Sequence, residues 1–130
     1  MAITPEQMAR SGSEDGEQLA IMQWCALNLN RYPELKWLHH SPNGGSRNKR
    51  EGAKFKAMGV KRGYPDLTLP LPCRQYAGLY IELKKLKGGV TSKEQEDWLA
   101  YLNSAGYYAT VCKGWLQAVS CLEWYLKLER

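Results

Sequence analysis

The spacing of apolar residues predicts that the chain begins with an amphipathic helix. Between residues 14 and 30 the apolar positions recur at intervals of three or four, which is the helical period. The apolar face predicted in this way consists of Leu19, Met22, Ala26 and Leu29. Ser11 with Glu14, or Ser13 alone, can cap the start of the helix. Residues 1–12 show no such periodicity and are predicted to form a flexible N-terminal leader.

The rest of the chain alternates between strand-like and helical patterns separated by turn signals. The predicted elements are a short strand (35–40), a loop (41–52), a short helix (53–58), two strands of a hairpin (66–71 and 78–84), a helix (91–105), a strand (107–112) and a terminal helix (115–128). Two overlapping capping boxes, Thr91 with Glu94 and Ser92 with Gln95, mark the start of the second long helix. The order α-β-(α)-β-β-α-β-α predicts an α/β fold with a mixed central sheet flanked by helices.

Length and composition limit the class of protein. The chain has 130 residues, of which 44% are hydrophobic, so residues 13–130 are predicted to form one domain with its own core. No apolar run approaches the roughly 18 residues needed to span a bilayer, and the polar N-terminus lacks the apolar centre of a signal peptide. The four cysteines are irregularly spaced without a Cys-x-x-Cys pair, which argues against a zinc site and favours core positions. We therefore expect a protein of the cytoplasm with no membrane partner.

Positive charge is concentrated in the middle of the chain. The net charge is +5, and residues 47–62 carry seven basic side chains against a single acid, Glu51. The basic residues of this segment are Arg47, Lys49, Arg50, Lys54, Lys56, Lys61 and Arg62. Such local density is typical of proteins that bind a phosphate backbone, although a solvated basic face has the same composition.

The hairpin offers a candidate catalytic site. Side chains two residues apart on a strand share a face, so Glu82 and Lys84 project together while Ile81 and Leu83 project to the opposite, core-facing side. If the 66–71 strand pairs with the 78–84 strand, Asp66 lies near the end of the latter. Two carboxylates beside an ammonium suit a hard divalent cation such as Mg²⁺ or Mn²⁺ that bridges to phosphate.

The Glu-x-Lys tripeptide alone is a weak signal, because Glu34-Leu35-Lys36 repeats it. Only the second copy ends an apolar strand and has a Pro-Asp pair across a turn, so we interpret the first copy as surface. The adjacent histidines, His39 and His40, would face opposite ways on a strand and are interpreted as surface or hydrogen-bonded residues rather than metal ligands.

Aromatic residues leave two interpretations open. Five tryptophans and eight tyrosines could stack on single-stranded nucleic acid. Most of the tryptophans fall within helical patterns, which favours core packing instead. These residues are Trp24, Trp98, Trp115 and Trp124.

Taken together, the ordered motifs resemble the VRR-NUC branch of the PD-(D/E)XK nuclease superfamily over residues 13–125. The matching segments are Ser13-Glu14-x-x-x-Gln18, Pro42-Asn43-Gly44-Gly45, Gly59-Val60-Lys61-Arg62-Gly63-Tyr64-Pro65-Asp66-Leu67, Gly78-Leu79-Tyr80-Ile81-Glu82-Leu83-Lys84, Gln95-x-x-Trp98 and Gly106-Tyr107-Tyr108-x-x-Val111. One departure is Tyr64, where a small aliphatic residue is more usual. The resemblance implies a restriction-endonuclease-like fold.

The resemblance also implies roles for individual residues. Asp66 and Glu82 would be metal ligands together with the backbone carbonyl of Leu83, and Lys84 would be the catalytic lysine. A helix-borne acid usually completes such sites; Glu14 is the first candidate, since Gln18 follows it by one turn, and Glu17 is the alternative. Gln95 would support the lysine or contact DNA. Contacts to DNA are expected from Asn43, Arg47, Lys49, Arg50, Lys54, Lys61 and Arg62.

The activity implied is that of a Mg²⁺- or Mn²⁺-dependent endodeoxyribonuclease, encoded by a bacterium or a phage. Freestanding members of the family resemble junction-resolving dimers, so branched DNA, in particular a four-way (Holliday) junction cut by a homodimer, is the expected substrate. A flap nuclease, a general nickase and a non-catalytic DNA-binding module are the alternatives. An apolar stripe on the last helix could form the dimer surface or belong to the core: Trp115, Val119, Leu122, Tyr125 and Leu126.

Overall fold

The computed structural model describes residues 3–42 and 49–130. Its elements are α1 (Pro5–Ala9), α2 (Glu14–Leu27), a 3₁₀ helix (Pro33–Trp37), β1 (His39–His40), α3 (Lys49–Ala57), β2 (Leu67–Leu69), β3 (Leu79–Lys84), α4 (Lys93–Ser104), β4 (Tyr108–Lys113) and α5 (Gly114–Leu126). Two residues expected to contact DNA, Asn43 and Arg47, lie outside the described residues. None of the described helices is long and apolar enough to cross a membrane.

The four strands form one mixed sheet in the order β1-β2-β3-β4. The first three strands are antiparallel neighbours, whereas β3 and β4 are parallel. A parallel pair requires a crossover connection, and α4 supplies it. The predicted α/β fold with a mixed central sheet flanked by helices is therefore confirmed.

The main core lies between one face of this sheet and the helices α2 and α5. Strand β3 contributes Leu79, Ile81 and Leu83 to it, which pack in one cluster with Ile21 of α2 and Leu122 of α5. Helix α4 lies over the other face of the sheet and connects β3 to β4. Because β3 is covered on both faces, five of its six residues are buried, including the polar ones.

The buried face of α2 differs from the one predicted. Leu19 is 57% exposed, and Ala26 and Leu29 are also exposed. The buried residues are instead Gly16, Glu17, Ala20, Ile21 and Cys25. A Cβ atom on Gly16 would lie 2.7 Å from the carbonyl oxygen of Met8, so the small residues let α1 pack closely on α2. The buried face is the one that contacts α1 through Gly16 and the main core through Ile21 and Cys25; of the predicted face, only Met22 is partly buried against this core.

Helix α1 lies within the segment predicted to be a flexible leader. Thr4 caps it through a capping box in which the side chains of Thr4 and Gln7 each accept a hydrogen bond from the other residue's backbone N–H. Pro5 at the first helical position is buried. The Thr-Pro-x-Gln pattern therefore indicates the start of a helix. The prediction missed this helix because it relied on apolar periodicity, which this segment lacks.

Several element boundaries also differ from the prediction. The strand predicted over 35–40 is reduced to His39–His40, because Pro33 favours a helical first turn and residues 33–37 form a 3₁₀ helix. Helix α3 begins at Lys49, within the predicted loop. At the C-terminus most of the apolar stripe of α5 is buried, and the Tyr125 hydroxyl donates to the Leu71 carbonyl at 2.7 Å. That stripe therefore belongs to the core and does not provide a dimer surface.

Strand β4 is an edge strand whose outward backbone groups are partly occupied by side chains. The Asn103 amide donates to the Ala109 carbonyl at 2.9 Å and accepts from the Ala109 N–H at 3.0 Å. Gln117 accepts from the Lys113 N–H at 2.8 Å. Side chains that satisfy an edge in this way oppose the addition of a further strand.

Candidate active site

Strand β3 places a carboxylate and an ammonium side by side beneath α4. Glu82 and Lys84 alternate with Ile81 and Leu83 and therefore face away from the main core. Glu82 is 2% exposed and Lys84 is 8% exposed, and the Lys84 Nζ lies 3.7 Å from Glu82 Oε2. Buried charged groups are rare unless they are paired, so this arrangement marks the strand end as a site for chemistry.

Asp66 reaches the same place from the neighbouring strand. In the antiparallel register Leu67 pairs with Ile81, so Asp66, one residue earlier, lies opposite Glu82. Asp66 Oδ2 accepts a hydrogen bond from the Leu83 N–H at 2.7 Å. Its backbone carbonyl accepts from the Ser41 N–H at 2.7 Å and lies 3.0 Å from His40 Nδ1. The carboxylate is thus held at a defined position on the sheet.

The two carboxyl groups interact strongly. Burial raises the pKa of Glu82 well above its usual range, and the hydrogen bond to Asp66 and the charge of Asp66 raise it further. The Lys84 ammonium lowers this pKa, whereas the charge of Glu14 raises it. Two carboxyl groups this close favour sharing a proton, because ionising both without a cation between them is costly.

Gln95 at the start of α4 holds Glu82 from above. Its Nε2 donates to Glu82 Oε2 at 3.0 Å, while its Oε1 accepts from the Ser92 N–H at 2.8 Å in a capping box. The second of the two predicted capping boxes is therefore the one formed. Gln95 contacts the carboxylate rather than the lysine.

Gly63 allows the turn before Asp66 to approach α4. Its φ is +83°, and a Cβ atom there would lie 2.6 Å from the backbone carbon of Glu94. Any other residue would therefore push the turn away from the helix and strain its own backbone. This contact keeps the Asp66 strand and Gln95 within reach of the same site.

The side chains around Glu82 include oxygen atoms of the kind that bind a hard divalent cation. Glu82 Oε1 is buried without a hydrogen-bond partner, as are both amide atoms of Gln18. Buried polar atoms are normally satisfied, so such atoms are expected where a ligand binds. Among the described residues no three His, Cys, Asp or Glu side chains cluster closely enough to hold a metal. Two carboxylates with the Leu83 carbonyl, completed by water and substrate phosphate, are nevertheless a usual environment for Mg²⁺.

The two candidate helix acids have different surroundings. Glu17 is 5% exposed, and its Oε2 accepts a hydrogen bond from the Trp115 N–H at the start of α5. Glu14 is exposed, and its charge acts on Glu82. Glu17 thus caps a distant helix, whereas Glu14 remains free to approach the carboxylate pair.

Removing the Glu17 carboxylate should destabilise the fold. In Glu17→Ala the Trp115 N–H loses its acceptor in a buried position, which we expect to cost about 1–3 kcal/mol of unfolding free energy. Glu17→Gln, which keeps an acceptor oxygen, should lose less. Urea denaturation measures both effects. If Glu17→Gln folded normally but no longer bound Mn²⁺, Glu17 rather than Glu14 would be the ligand.

The remaining candidates from the sequence have other partners or are exposed. Glu34 of the first Glu-x-Lys copy pairs with Arg130 at 3.8 Å, and the Lys36 ammonium lies over the Trp37 ring. His39 is exposed, and His40 contacts backbone. The described basic residues expected to contact DNA are all exposed: Lys49, Arg50 and Lys54 on α3, and Lys61 and Arg62 in the turn that follows.

Aromatic residues next to the site were not identified from the sequence. The Tyr64 ring packs edge-on against Tyr80, at a centroid distance of 5.9 Å, and against Trp98, at 5.0 Å. Tyr80 shares the Glu82 face of β3, and strand alternation was the signal that could have placed it there. Tyr64, the one departure from the family pattern, thus packs beside the site between a strand and α4.

Comparisons with known proteins agree with this geometry. A model of the VRR-NUC domain matches residues 7–115, beginning within the predicted leader. A solved structure described as a VRR_NUC domain protein superposes with a TM-score of 0.77 and 36% sequence identity, covering 89% of each chain. A comparison with curated proteins gave no match. Because the domain model covers most of the sequence, the chain belongs to the VRR-NUC family of nuclease domains.

Proposed function

We propose that this protein is a Mg²⁺- or Mn²⁺-dependent endonuclease that hydrolyses phosphodiester bonds in DNA. The observation that carries the proposal is the buried Glu82 carboxyl group beside Asp66: Gln95 and Lys84 lie at its Oε2, whereas no N–H group of the described residues donates to its Oε1. A cation bound between the two carboxyl groups would offset the cost of ionising both. Family membership supplies the class of reaction.

Different residues would bind the metal ion and assist the hydrolysis. Asp66, Glu82 and the Leu83 carbonyl would hold the ion, with Glu14 as a further acid from α2. A bound divalent ion polarises a phosphoryl oxygen and lowers the pKa of water. Lys84 is placed to orient the attacking water or to stabilise negative charge that develops on phosphorus. Gln95 keeps the Glu82 carboxylate in position through its hydrogen bond.

The proposed substrate is branched DNA, in particular a four-way junction. One site cuts one strand, so two symmetric cuts require two copies of the site, which a homodimer supplies. The buried stripe of α5 and the occupied edge of β4 do not offer surfaces for such a dimer. The two copies would therefore meet through other exposed surfaces.

Cleavage of several DNA structures side by side tests the proposal. We expect a four-way junction to be cut in preference to a flap or a linear duplex, with Mg²⁺ or Mn²⁺ present and not with EDTA. Sedimentation of the free protein should show a dimer. A monomer that prefers flaps would contradict the junction assignment. Wild-type protein that binds DNA but never cuts it with either metal would identify a non-catalytic DNA-binding module.

A further inference from the structure

An open groove runs beside the candidate active site. It has a volume of about 990 Å³ and lies between α4 on one side and α3 with the following turn on the other. Its apolar surface comes from Phe55, Val60, Trp98 and Tyr101. Tyr101 is 62% exposed, and Val60 is also exposed. Large apolar side chains left in contact with water at one place are typical of binding surfaces. We name this feature the α4 groove.

The α4 groove lies next to the candidate active site along α4. Its lining residues Glu94, Trp98 and Tyr101 precede and follow Gln95 on this helix. Gln95 donates to the Glu82 carboxylate, and Trp98 and Tyr101 continue away from it at about 5.4 Å per turn. A molecule in the α4 groove would therefore extend from the site where the bond is broken.

The two walls of the α4 groove differ in chemistry. The wall formed by α3 and the turn carries Lys56, Lys61 and Arg62, none of which forms an ion pair with any other described residue. The α4 wall carries the two aromatic rings together with Glu94 and Asp97. Asp97 is partly neutralised by Lys93 at 3.2 Å. One wall thus offers cations, and the other offers stacking surfaces and carboxylate acceptors.

The Trp98 ring on the α4 wall is held in place by a hydrogen bond and by a ring contact. The Trp98 Nε1–H donates to the Arg62 carbonyl at 3.1 Å, and Tyr64 packs edge-on against Trp98. The Tyr101 ring lies 6.5 Å from Trp98, between centroids, at an interplanar angle of 83°. A ring fixed as Trp98 is loses little conformational entropy when a flat ligand stacks on it.

We propose that the α4 groove binds an unpaired strand of the DNA substrate next to the scissile phosphate. Its phosphates would contact the basic wall, and its bases would stack on Tyr101 and Trp98, with exocyclic amino groups within reach of the acids. Bases in a perfect duplex are stacked on one another and cannot use such a wall. The inference rests on the proposed function. It means that the protein recognises unpaired nucleotides beside the branch point.

The test compares single-stranded and duplex DNA binding to the full chain, with EDTA present to prevent cleavage. The probe is a fluorescein-labelled oligothymidylate of about twelve nucleotides, followed by anisotropy. Tyr101→Ala should weaken its binding about tenfold, since stacking on one ring is lost. Tyr101→Phe, which keeps the ring, should bind as wild type does. Lys61→Gln should lower the slope of log affinity against log salt by about 0.7, as expected for one lost phosphate contact on a single strand.

A matched control is available on the 3₁₀ helix. Trp37 is 61% exposed and has the Lys36 ammonium over its ring, but it does not line the α4 groove. Trp37→Ala should leave oligothymidylate binding unchanged, and duplex binding should change little in Tyr101→Ala. Unchanged oligothymidylate binding in Tyr101→Ala, or an equal loss on duplex, would overturn the inference.

The outcome also separates this inference from the proposed function. Protein that binds oligothymidylate through Tyr101 but cuts no DNA would retain the α4 groove as a binding site and refute the nuclease. If the wild-type protein cut branched DNA while Tyr101→Ala bound single strands normally, the nuclease activity would stand and the α4 groove would be refuted as a binding site.

Discussion

Lys84→Met should reduce the rate of DNA cleavage by about 10²–10³-fold while leaving the fold and DNA binding in place. The Lys84 ammonium is nearly buried and lies 3.7 Å from Glu82 Oε2, at the end of the strand that carries the carboxylate. Methionine fills a similar volume without the charge, so the packing under α4 is retained. Single-turnover cleavage with saturating Mg²⁺, together with anisotropy binding, measures the two effects separately.

The neighbouring lysine provides the control. Lys85 is adjacent in sequence but exposed, so Lys85→Met removes the same charge from the protein without touching the site. It should cut DNA at close to the wild-type rate. If Lys84→Met and Lys85→Met reduced the cleavage rate equally, Lys84 would act only through its contribution to the positive charge of the protein.

Asp66→Asn should abolish both cleavage and the stabilisation that a divalent cation confers. A ligand that binds only the folded state stabilises it by about 2.7 kcal/mol when present at a hundred times its Kd. Asparagine keeps an acceptor for the Leu83 N–H, so the strand ends should stay in register. The metal-free variant provides its own baseline, so only the shift produced by Mn²⁺ is compared with wild type. Thermal unfolding with and without Mn²⁺ measures this.

The first Glu-x-Lys copy, Glu34-Leu35-Lys36, serves as the control for this experiment. Glu34→Gln removes a carboxylate that pairs only with Arg130, remote from the site, and should leave the Mn²⁺-induced stabilisation intact. Were Asp66→Asn stabilised by Mn²⁺ as fully as wild type, the cation would bind elsewhere. That result would remove the structural basis of the proposed mechanism.

Much of the candidate site could be predicted because it depends on local order. Strand alternation puts Glu82 and Lys84 on one face whatever surrounds them, and a hairpin brings Asp66 opposite Glu82 after a short turn. The capping box that fixes Gln95 is likewise a pattern within four residues. Contacts of this kind can be predicted because the residues are close in sequence and the backbone geometry brings them together.

The errors occurred where distant segments meet. The apolar spacing of α2 indicated a face with Leu19, yet the buried face carries Ile21 and Cys25, which pack in the main core with residues of the sheet and of α5. The helical pattern of α4 placed Trp98 in the core. The structure leaves it half-buried at the rim of the α4 groove, with its Nε1–H bonded to a turn 36 residues earlier in the chain.

The sequence by itself determined the order of elements, the mixed α/β class and the carboxylate–lysine set on β3, because periodicity and turn chemistry act over a few residues. Only the tertiary structure gave Glu14 and Glu17 different surroundings. The two acids lie within one turn of the same helix, but Glu17 meets the Trp115 N–H 98 residues later in the chain, which no local pattern encodes. The orphaned oxygen of Glu82 likewise exists only because α4 covers the strand, since burial is a property of packed elements and not of the residues that enter them.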